Sequence, residues 1–460
     1  MRSLVDDDHV LDSGLAAIRT QFKVPQGFPA SVEAAAAEAA RRPLDARVDR
    51  TDWPFVTLDP STSTDLDQAF TIESAGDDLL LHYAIADVGW FVTPGDPIDV
   101  EAWRRGTTLY LPDNKASLYP RVLSEGAASL LPDGPRPAVV FHVRLSCEGV
   151  ATLDGAERSL IRSRAKLAYD TVTAADVPAG FDEFARRVTA AESARGASNL
   201  EPPEQHVGRD DGHYRLTFRP RSVSEDQNAA LSLATNLAIA SAMQDSGVGL
   251  FRVMAAPDER AVHRLRHTAR AFGLTWPEDE SLESYSRRLD CSRPAEAAFV
   301  MAVRRSGGGA EYRPFEAGVV PWHAAMAATY AHATAPLRRL ADRYVVETAL
   351  SIVQGVPVPD DIGDALTRLP EAMAAADHAA NTIDRAVIDL AEAVMMQGHE
   401  GETFDAVVTD DDPEGTRIQL TTLAVKAKVQ AHGVQPGDSL RVKLVKADTD
   451  KRRVEFLRVG

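Results

Sequence analysis

The pattern of apolar and polar positions changes character three times along the chain. Between about residues 52 and 145, short apolar runs separated by turn residues are typical of strands. The predicted strands are Phe55–Leu58, Ala69–Ile72, Leu79–Asp87 and Val139–Leu145. From about residue 160 to 350 the apolar positions follow helical spacing. Polar connections are predicted there at Pro202–Arg209 and Ser306–Gly309. We therefore expect an α+β fold in which a mixed sheet and helices share one core.

Residues 1–48 are predicted to form a separate helical segment. A first amphipathic helix covers Val10–Phe22, and a second covers Ser31–Arg42 after a Pro- and Gly-rich break. Ser31 is the expected N-cap and Pro43 the expected stop. Simple packing against the rest of the protein is the favoured interpretation, and a helix-turn-helix is the alternative.

Two longer helices are predicted further along. The Ala-rich stretch Ala229–Met243 carries Ser, Thr and Asn, which favours a buried helix over a membrane span. Glu371–Gln397 has apolar residues at helical spacing, and Gly398 is placed as its terminator.

The last sixty residues predict a small barrel. Five short alternating runs suit a five-stranded OB fold: Phe404–Val408, Arg417–Leu423, Ala424–Val429, Leu440–Val445 and Val454–Val459. Residues 424–460 contain nine Lys and Arg against four Asp and Glu. This local surplus of five positive charges favours binding of a nucleic-acid backbone over a merely solvated basic face.

Composition and charge limit the class of protein and the compartment that we expect. The 460-residue chain has a formal net charge of −18, which argues against a surface that coats nucleic acid generally but leaves room for a local basic groove. It has two cysteines, so we do not expect a disulfide scaffold, and we expect the protein to be in a reducing compartment. The acidic start, MRSLVDDDHV, does not resemble a signal peptide. We expect a cytoplasmic monomer with no membrane association.

The segment LDPSTSTDLDQAF, residues 58–70, is the strongest candidate for chemistry. Asp59, Asp65 and Asp67 crowd together within a turn-forming stretch, and hard divalent cations prefer carboxylate oxygens. A solvated acidic loop is the alternative from this segment alone. An EF-hand loop lacks its central Gly and closing Glu here, and a haloacid-dehalogenase-type phosphatase would need its two Asp directly after a strand.

Three further segments, taken in order with the acidic loop, resemble the RNB catalytic domain of the ribonuclease II/R family. AIADVGWFVTPGDPIDVEAWRRGTTLYL spans Ala84–Leu111, YPRVLSEGAASLLP spans Tyr119–Pro132, and YAHATAPLRRLADRYV spans Tyr330–Val345. The resemblance covers roughly residues 50–395. The C-terminal barrel resembles the ribosomal S1-type domain that ends such proteins. The predicted domains are thus 1–48, an RNB domain at 49–398 and an S1-type domain at 400–460.

The resemblance implies hydrolysis of single-stranded RNA from its 3′ end to nucleoside 5′-monophosphates. It implies a magnesium site, which manganese could also fill, formed by Asp59, Asp65, Asp67 and Gln68. Gln68 stands where most relatives have a fourth Asp, and it offers only a neutral oxygen. Two cations about 3.5–4 Å apart could activate water and stabilise the leaving oxygen.

The same resemblance assigns roles to other residues. Arg338, in TAPLRR, matches the catalytic arginine, which would stabilise charge at the scissile phosphate. The residues that it implies contact RNA, together with two basic residues of the barrel, are Tyr110, Tyr169, His332, Thr334, Arg339, Lys443 and Arg453. A scaffold role is the alternative for His332, Thr334 and Arg339, and core packing is the alternative for Tyr110 and Tyr169. Tyr110 would stack on bases near the 3′ end.

One departure bears on substrates. About 58 residues precede Asp59, too few for the two cold-shock domains of many relatives, so we expect an opening that structured RNA can approach or enter. Two other functions stay open. Gln68 allows a catalytically weakened protein that binds RNA 3′ ends as a regulator, and a metal-dependent phosphatase of small substrates is a third alternative.

Overall fold

The fold is given by a computed structural model, which describes residues 10–44, 47–197, 204–210, 213–219, 221–290, 293–412 and 415–459. The start of the chain, including most of the acidic stretch noted above, and Cys291 lie outside these residues. Helices and sheets are mixed, so the predicted α+β class is confirmed. No helix in the described ranges combines the length and the hydropathy that crossing a membrane requires.

A seven-stranded mixed sheet forms the centre of the body. Its strands run in the order β1-β8-β7-β4-β3-β2-β9, with a separate two-stranded hairpin formed by β5 and β6. The bounds are β1 Val48–Arg50, β2 Val56–Asp59, β3 Gln68–Ala75, β4 Asp78–Ala86, β5 Leu109–Tyr110, β6 Lys115–Ala116, β7 Arg136–Leu145, β8 Ala151–Ile161 and β9 Ala165–Ala168. The four strands predicted from the sequence are all present, and β3, β4 and β7 pair antiparallel as neighbours.

Helices cover this sheet and extend from it. Their bounds are α1 Val10–Gln21, α2 Ala30–Ala39, α3 Val88–Phe91, α4 Pro97–Arg105, α5 Phe181–Arg195, α6 Val223–Ser246, α7 Glu259–Ala271, α8 Leu282–Arg287, α9 Pro294–Ser306, α10 Leu340–Val353 and α11 Asp360–Met396. The predicted buried helix is part of α6, which packs on the sheet at β4, β7 and β8. A five-residue π-helical turn covers Leu123–Ala127.

The N-terminal helices form where they were predicted, but their partners differ. Helix α1 packs against α11, whereas α2 packs against α4. The prediction of Ser31 as N-cap is wrong: Pro29 holds the cap position, and Ser31 lies inside α2. Proline is suited to this place because its fixed φ fits a helix start and it lacks an N–H that would otherwise need a partner.

Helix α11 is longer than predicted, because it begins at Asp360 and continues through Pro370. An internal proline removes one backbone hydrogen bond at a cost of about 3 kcal/mol. Burial of apolar side chains on both sides of it, including Leu366, Leu369 and Met373, offsets that cost. The helix ends at Gln397 as its C-cap, and Gly398 follows with φ +82°, which confirms its predicted role as terminator.

The prediction of an exposed connection at Pro202–Arg209 is wrong for its described part. Strand β10, Glu204–Asp210, pairs antiparallel with β11, His213–Arg219. Val207, Tyr214 and Leu216 are buried in a core shared with α1 and α11. This projecting hairpin therefore packs away from the main sheet, against α1 and against α11, the helix that leads to the barrel.

Two short pairs of strands lie between this region and the TAPLRR segment, Thr334–Arg339. Strand β12, Leu250–Val253, pairs with β13, Glu311–Pro314, and β14, Trp322–His323, pairs with β15, Ala328–Thr329. Helices α7, α8 and α9 lie between β12 and β13 and have a small core of their own around Trp276, Tyr285 and Phe299.

The C-terminal barrel has the five strands predicted. They are β16 Thr403–Asp412, β17 Gly415–Leu420, β18 Lys426–Val429, β19 Ser439–Asp448 and β20 Arg453–Arg458. Their order is β18-β17-β16-β19-β20, and β18 lies close to β20, so the sheet nearly closes. Met396, the last residue of α11, is buried in the barrel core, which joins the long helix to the barrel.

Candidate active site

The acidic loop lies between two neighbouring strands of the central sheet. Asp59 is the last residue of β2, and Gln68 is the first residue of β3. Residues 60–67 cross from one to the other, so the carboxylates of Asp65 and Asp67 return towards the end of the sheet where Asp59 lies. The local reason is the Pro-Ser-Thr-Ser-Thr sequence, which favours turns and supplies no strand.

Asp67 joins this loop to the TAPLRR motif, 270 residues later in the chain. Its Oδ1 accepts a hydrogen bond of 2.7 Å from the backbone N–H of Leu337. Its Oδ2 lies 3.4 Å from Nε of Arg338. Asp67 is buried, whereas the Arg338 side chain is 43% exposed. The guanidinium group of Arg338 therefore contacts a buried carboxylate and is also partly accessible to a ligand.

Hydrogen bonds to backbone carbonyls hold the TAPLRR and RRGTT motifs together. The carbonyl of Arg338 accepts from the Thr108 N–H at 2.9 Å and from the Thr107 hydroxyl at 2.9 Å. The Leu340 N–H donates to the Gly106 carbonyl at 3.0 Å. Gly106 has φ +68°, and a Cβ there would lie 2.5 Å from Cβ of Ala376 on α11. Only glycine fits this position, which explains the glycine of RGTT.

The ionised forms of Asp59 and Asp67 are destabilised in this environment. Burial raises the pKa of each to about 7, with the Asp65 charge acting in the same direction and Arg338 opposing it. Both groups would therefore be stabilised by an added cation, because a positive charge compensates a desolvated carboxylate.

Asp65 has two neighbours on the β5–β6 hairpin. Its Oδ1 lies 2.8 Å from Nζ of Lys115, and its Oδ2 accepts a hydrogen bond of 2.9 Å from the Tyr110 hydroxyl. Tyr110 and Lys115 stand directly opposite each other in the hairpin. The Tyr110 side chain is half exposed, so its ring is accessible while its hydroxyl is fixed.

Gln68 is held at both ends of its amide. Its Nε2 donates to the Thr334 carbonyl at 2.5 Å, and its Oε1 accepts from the Tyr83 hydroxyl at 2.8 Å. The residue therefore links β3 to the TAPLRR segment. The prediction that it also contacts a metal ion stays a prediction.

Tyr169 lies beside Asp59. Its backbone N–H donates to the Asp59 carbonyl at 3.3 Å, and its hydroxyl accepts from Nδ2 of Asn228 at 2.9 Å. Burial raises the pKa of Tyr169 to about 12, so it is neutral. The ring is partly exposed, which leaves its predicted contact with RNA open.

Three residues predicted to contact RNA lie in the scaffold behind the site. Arg339 makes two hydrogen bonds to the buried carboxylate of Asp342, at 2.9 and 2.7 Å. Thr334 is buried, with its hydroxyl 2.6 Å from that of Ser232. Burial holds the pKa of His332 well below its usual value, so this ring is neutral and contacts the Tyr312 hydroxyl at 2.9 Å.

A cleft with a volume of about 2650 Å³ separates the body from the barrel and reaches the acidic loop. Asp65, Tyr110 and Lys115 line one end of it. Basic side chains line its course on both sides: Arg305 and Arg385 from the body, and Arg417, Lys428, Arg452 and Arg453 from the barrel. Arg453 is thus in the cleft, whereas the exposed Lys443 is not among its lining residues. Sequence reasoning could not separate these two basic residues.

The donor set fits magnesium better than a softer metal, because it consists of oxygen atoms. In the part of the chain that the structure describes, no three His, Cys, Asp or Glu side chains form a ready-made metal site. Magnesium is commonly held by one or two carboxylates and completed by water and substrate phosphate. Asp59 and Asp67, with pKa values raised by burial, suit that mode of binding.

Sequence reasoning missed Lys115, Tyr83 and the hairpin β10–β11. Lys115 had one available signal, since Leu-Tyr and Lys-Ala flank a Pro-Asp-Asn turn as a short hairpin would. Glu392 was also missed. This buried residue of α11 accepts from Nε2 of Gln205 at 2.6 Å and from the Lys426 N–H at 2.7 Å, so it joins the projecting hairpin, the long helix and the barrel.

Comparison with known proteins agrees with this architecture. The sequence profile of the RNB domain matches residues 47–353, and that of the RNase II-type exonuclease C-terminal S1 domain matches residues 402–459. The first match covers more than half of the chain, so the chain belongs to the RNB-domain family of hydrolytic 3′→5′ exoribonucleases.

Among curated proteins, Ribonuclease R of Aquifex aeolicus is 26% identical over 490 residues, which cover 95% of this chain and 69% of that protein. Ribonuclease R of Thermotoga maritima is 23% identical over a match that covers 98% of this chain and 71% of that protein. Among solved structures, Mycoplasma genitalium RNase R in complex with ribose methylated single-stranded RNA has a TM-score of 0.87 at 19% identity, covering all of this chain and 79% of that one. The same protein in complex with double-stranded RNA has a TM-score of 0.85 at 20% identity, covering all of this chain and 85% of that one.

Proposed function

We propose that this chain removes nucleoside 5′-monophosphates from the 3′ end of single-stranded RNA with Mg²⁺, or Mn²⁺ in its place, held by Asp59 and Asp67. The observation that carries the proposal is the contact between buried Asp67 and half-exposed Arg338, at 3.4 Å, in the acidic loop whose Asp65 lines a cleft with many basic residues. A carboxylate that a cation would stabilise and an arginine open to a phosphate are two features that serve metal-dependent phosphodiester hydrolysis.

The chain's own residues have separable tasks in this proposal. Arg338 would hold the scissile phosphate and stabilise the charge that develops on it. Asp59 and Asp67 would hold the cation, which when bound lowers the pKa of water and neutralises charge on the phosphate. The accessible ring of Tyr110 would stack on a base near the 3′ end, with its hydroxyl fixed on Asp65.

The cleft supports a single strand as the substrate. Its basic residues lie on two facing walls, as a groove that tracks a phosphate backbone requires. The proposal also includes access of the active site to structured RNA. It is supported by the relative whose solved structure contains double-stranded RNA. We expect the chain to act as a monomer, because its proposed ligands and its arginine all come from one copy.

The experiment uses purified protein, 5′-end-labelled poly(A) and magnesium. A ladder that shortens from the 3′ end, with nucleoside 5′-monophosphate as product, supports the proposal. The control is the same reaction with EDTA. Release of inorganic phosphate from small esters without shortening of RNA would favour the phosphatase alternative.

The second candidate is a protein that binds RNA 3′ ends and does not cleave them. The observation that favours it is Gln68, whose amide is tied to Thr334 and Tyr83 where relatives place a charged ligand. Tight binding of the labelled RNA with no shortening, at any magnesium or manganese concentration, would support this function over the first.

A further inference from the structure

The β5–β6 hairpin places a cation against the acidic loop. Nζ of Lys115 lies 2.8 Å from Oδ1 of Asp65 and 3.1 Å from Oε1 of Glu125. The Lys115 and Asp65 side chains are only 17% and 11% exposed. This is therefore a largely desolvated ion pair, in which loss of one partner leaves an uncompensated charge, and not a loose pair at the surface.

Lys115 is held in place from outside the site. Arg19 of α1 makes hydrogen bonds to both carboxylate oxygens of Asp113, at 3.1 and 2.7 Å, and one to the Asn114 carbonyl at 2.8 Å. These residues form the turn directly before Lys115. The ammonium group is consequently fixed by a defined turn, although a lysine side chain is flexible by itself.

Three of the four predicted metal ligands already have partners. Both oxygens of Asp65 are engaged, one by Lys115 and one by the Tyr110 hydroxyl. The Gln68 oxygen accepts from Tyr83, and its amide nitrogen faces Thr334. Asp67 accepts from the Leu337 N–H, but its ion pair with the half-exposed Arg338 is longer, at 3.4 Å, than the 2.8 Å pair of Asp65 with Lys115.

The charges of the site oppose a second divalent ion at its Asp65 end. Asp59, Asp65, Asp67 and Glu125 contribute four negative charges, and Arg338, Lys115, Arg121 and Lys166 contribute four positive ones. A second divalent ion would have to bind beside the ammonium group of Lys115, which repels it.

We propose that Lys115 takes the place of a second metal ion at the Asp65 end of the site, so that one divalent cation, held by Asp59 and Asp67, serves the reaction. This inference rests on the proposed function. It makes Lys115 a positioning residue that neutralises Asp65 and keeps Tyr110 aligned through the shared carboxylate.

The test counts bound Mn²⁺ by electron paramagnetic resonance, using the full chain and a ribose-methylated oligoadenylate as a strand that resists hydrolysis. The wild-type protein should bind one Mn²⁺ tightly. Lys115→Met, which keeps the chain length but removes the charge, should bind a second one. In hydrolysis of unmodified poly(A), the magnesium dependence of this variant should steepen from a Hill coefficient of about one towards two.

Lys115→Arg is the matched control, since it keeps the charge and should keep one Mn²⁺. Asp65→Asn provides an independent measurement on a near-isosteric side chain. If Lys115 fills the second position, Asp65→Asn leaves Mn²⁺ affinity within about twofold, whereas Asp67→Asn weakens it at least tenfold, because only the latter removes a ligand.

Two Mn²⁺ ions bound to the wild-type protein would overturn the inference, and so would an equal loss of Mn²⁺ affinity in Asp65→Asn and Asp67→Asn. Both results are compatible with an active exoribonuclease. Failure of the proposed function would look different, because the wild-type protein would then not shorten poly(A) at any metal concentration.

Discussion

Asp67 is the residue on which stability and activity are expected to oppose each other. It is buried, its pKa is raised to about 7 by that burial, and it accepts a hydrogen bond from Leu337. An Asp with a raised pKa destabilises the fold as the pH rises above the ordinary pKa of about 4, because folding then requires burial of a charge. Ionisation of Asp67 in the folded protein therefore costs free energy of folding.

We predict that Asp67→Asn lowers turnover by about 10²–10⁴-fold, the range expected for a group that directs proton transfer, while leaving RNA binding intact. At pH 8 in EDTA, where the wild-type carboxylate is ionised, the variant should have the higher melting temperature. Poly(A) hydrolysis, RNA affinity and thermal unfolding measure these three effects.

The control is Asp133→Asn, at an exposed carboxylate paired with Arg136, which should change none of them. Retention of more than about a tenth of wild-type turnover by Asp67→Asn would contradict the role given to this carboxylate.

At Gln68 a negative charge can be added, whereas Asp67→Asn removes one. Gln68→Glu has nearly the same shape but removes the N–H that donates to Thr334 and adds a charge. We predict that it lowers the magnesium concentration for half-maximal activity. In EDTA it should lose about 1–3 kcal/mol of unfolding free energy, because the Thr334 carbonyl is left unpaired.

Gln354→Glu, on an exposed side chain after α10, is the matched control. An unchanged magnesium titration for Gln68→Glu would mean that position 68 does not face the cation. Loss of stability without any gain in magnesium affinity would mark Gln68 as a purely structural link.

At the scale of elements, helix α1 supports the site from a distance. It packs on α11, and its Arg19 fixes the turn between Tyr110 and Lys115 through Asp113 and Asn114. We predict that Arg19→Ala lowers kcat/KM for poly(A) about threefold to tenfold, equivalent to about 1 kcal/mol.

Arg41→Ala, on an exposed residue just after α2, should leave kcat/KM unchanged. Because the Arg19 side chain is only 11% exposed and is paired with Asp113, Arg19→Ala should have a slightly lower melting temperature than Arg41→Ala, so kcat/KM is compared at a temperature where both variants are fully folded. A fall in kcat/KM that only follows a fall in the melting temperature would show that Arg19 acts through stability alone.

The elements show what the sequence could and could not predict. Strands β2, β3, β4 and β7 were predictable, because they are buried and their apolar runs end at turn residues. The hairpin β10–β11 was missed, since Glu204–Asp210 is polar and its strand identity depends on the partner. Strand β11 did carry a signal, the alternation of Tyr214, Leu216 and Phe218.

The site shows the same division. The order of the family motifs singles out Asp59, Asp65, Asp67 and Arg338 as candidates from the sequence. Which residues near TAPLRR are exposed depends on packing: Arg338 is half exposed, whereas His332, Thr334 and Arg339 contact other side chains of the scaffold. Similarly, the extension of α11 through Pro370 results from burial of its neighbours, which local preference does not reveal.

At the scale of the whole molecule, the chain has a net charge of −18, but the cleft concentrates cations from the body and from the barrel, as the proposed binding of RNA requires. Arg453 lines the cleft, whereas Lys443 is exposed and is not among its lining residues. We predict that Arg453→Gln reduces the slope of log affinity against log salt by about 0.7, the value for one lost phosphate contact on a single strand.

Lys443→Gln is the matched control, because it removes the same charge from the same barrel. Its salt dependence should equal that of the wild-type protein. Equal slopes for all three proteins would mean that RNA does not follow this wall of the cleft.

Helix α11 also sets a length. Ala376 touches Gly106 beside the arginine motif, and Met396 is buried in the barrel core, so about 30 Å of rigid helix separates the two at 1.5 Å per residue. An RNA strand long enough to span that interval would contact both the proposed active site and the barrel, so it would rebind before it dissociates from the protein. A shorter strand would contact only one of the two, so it would dissociate completely more often. Digestion should therefore pass from many cuts per encounter to few at a fixed remnant length, and that length should be independent of base sequence.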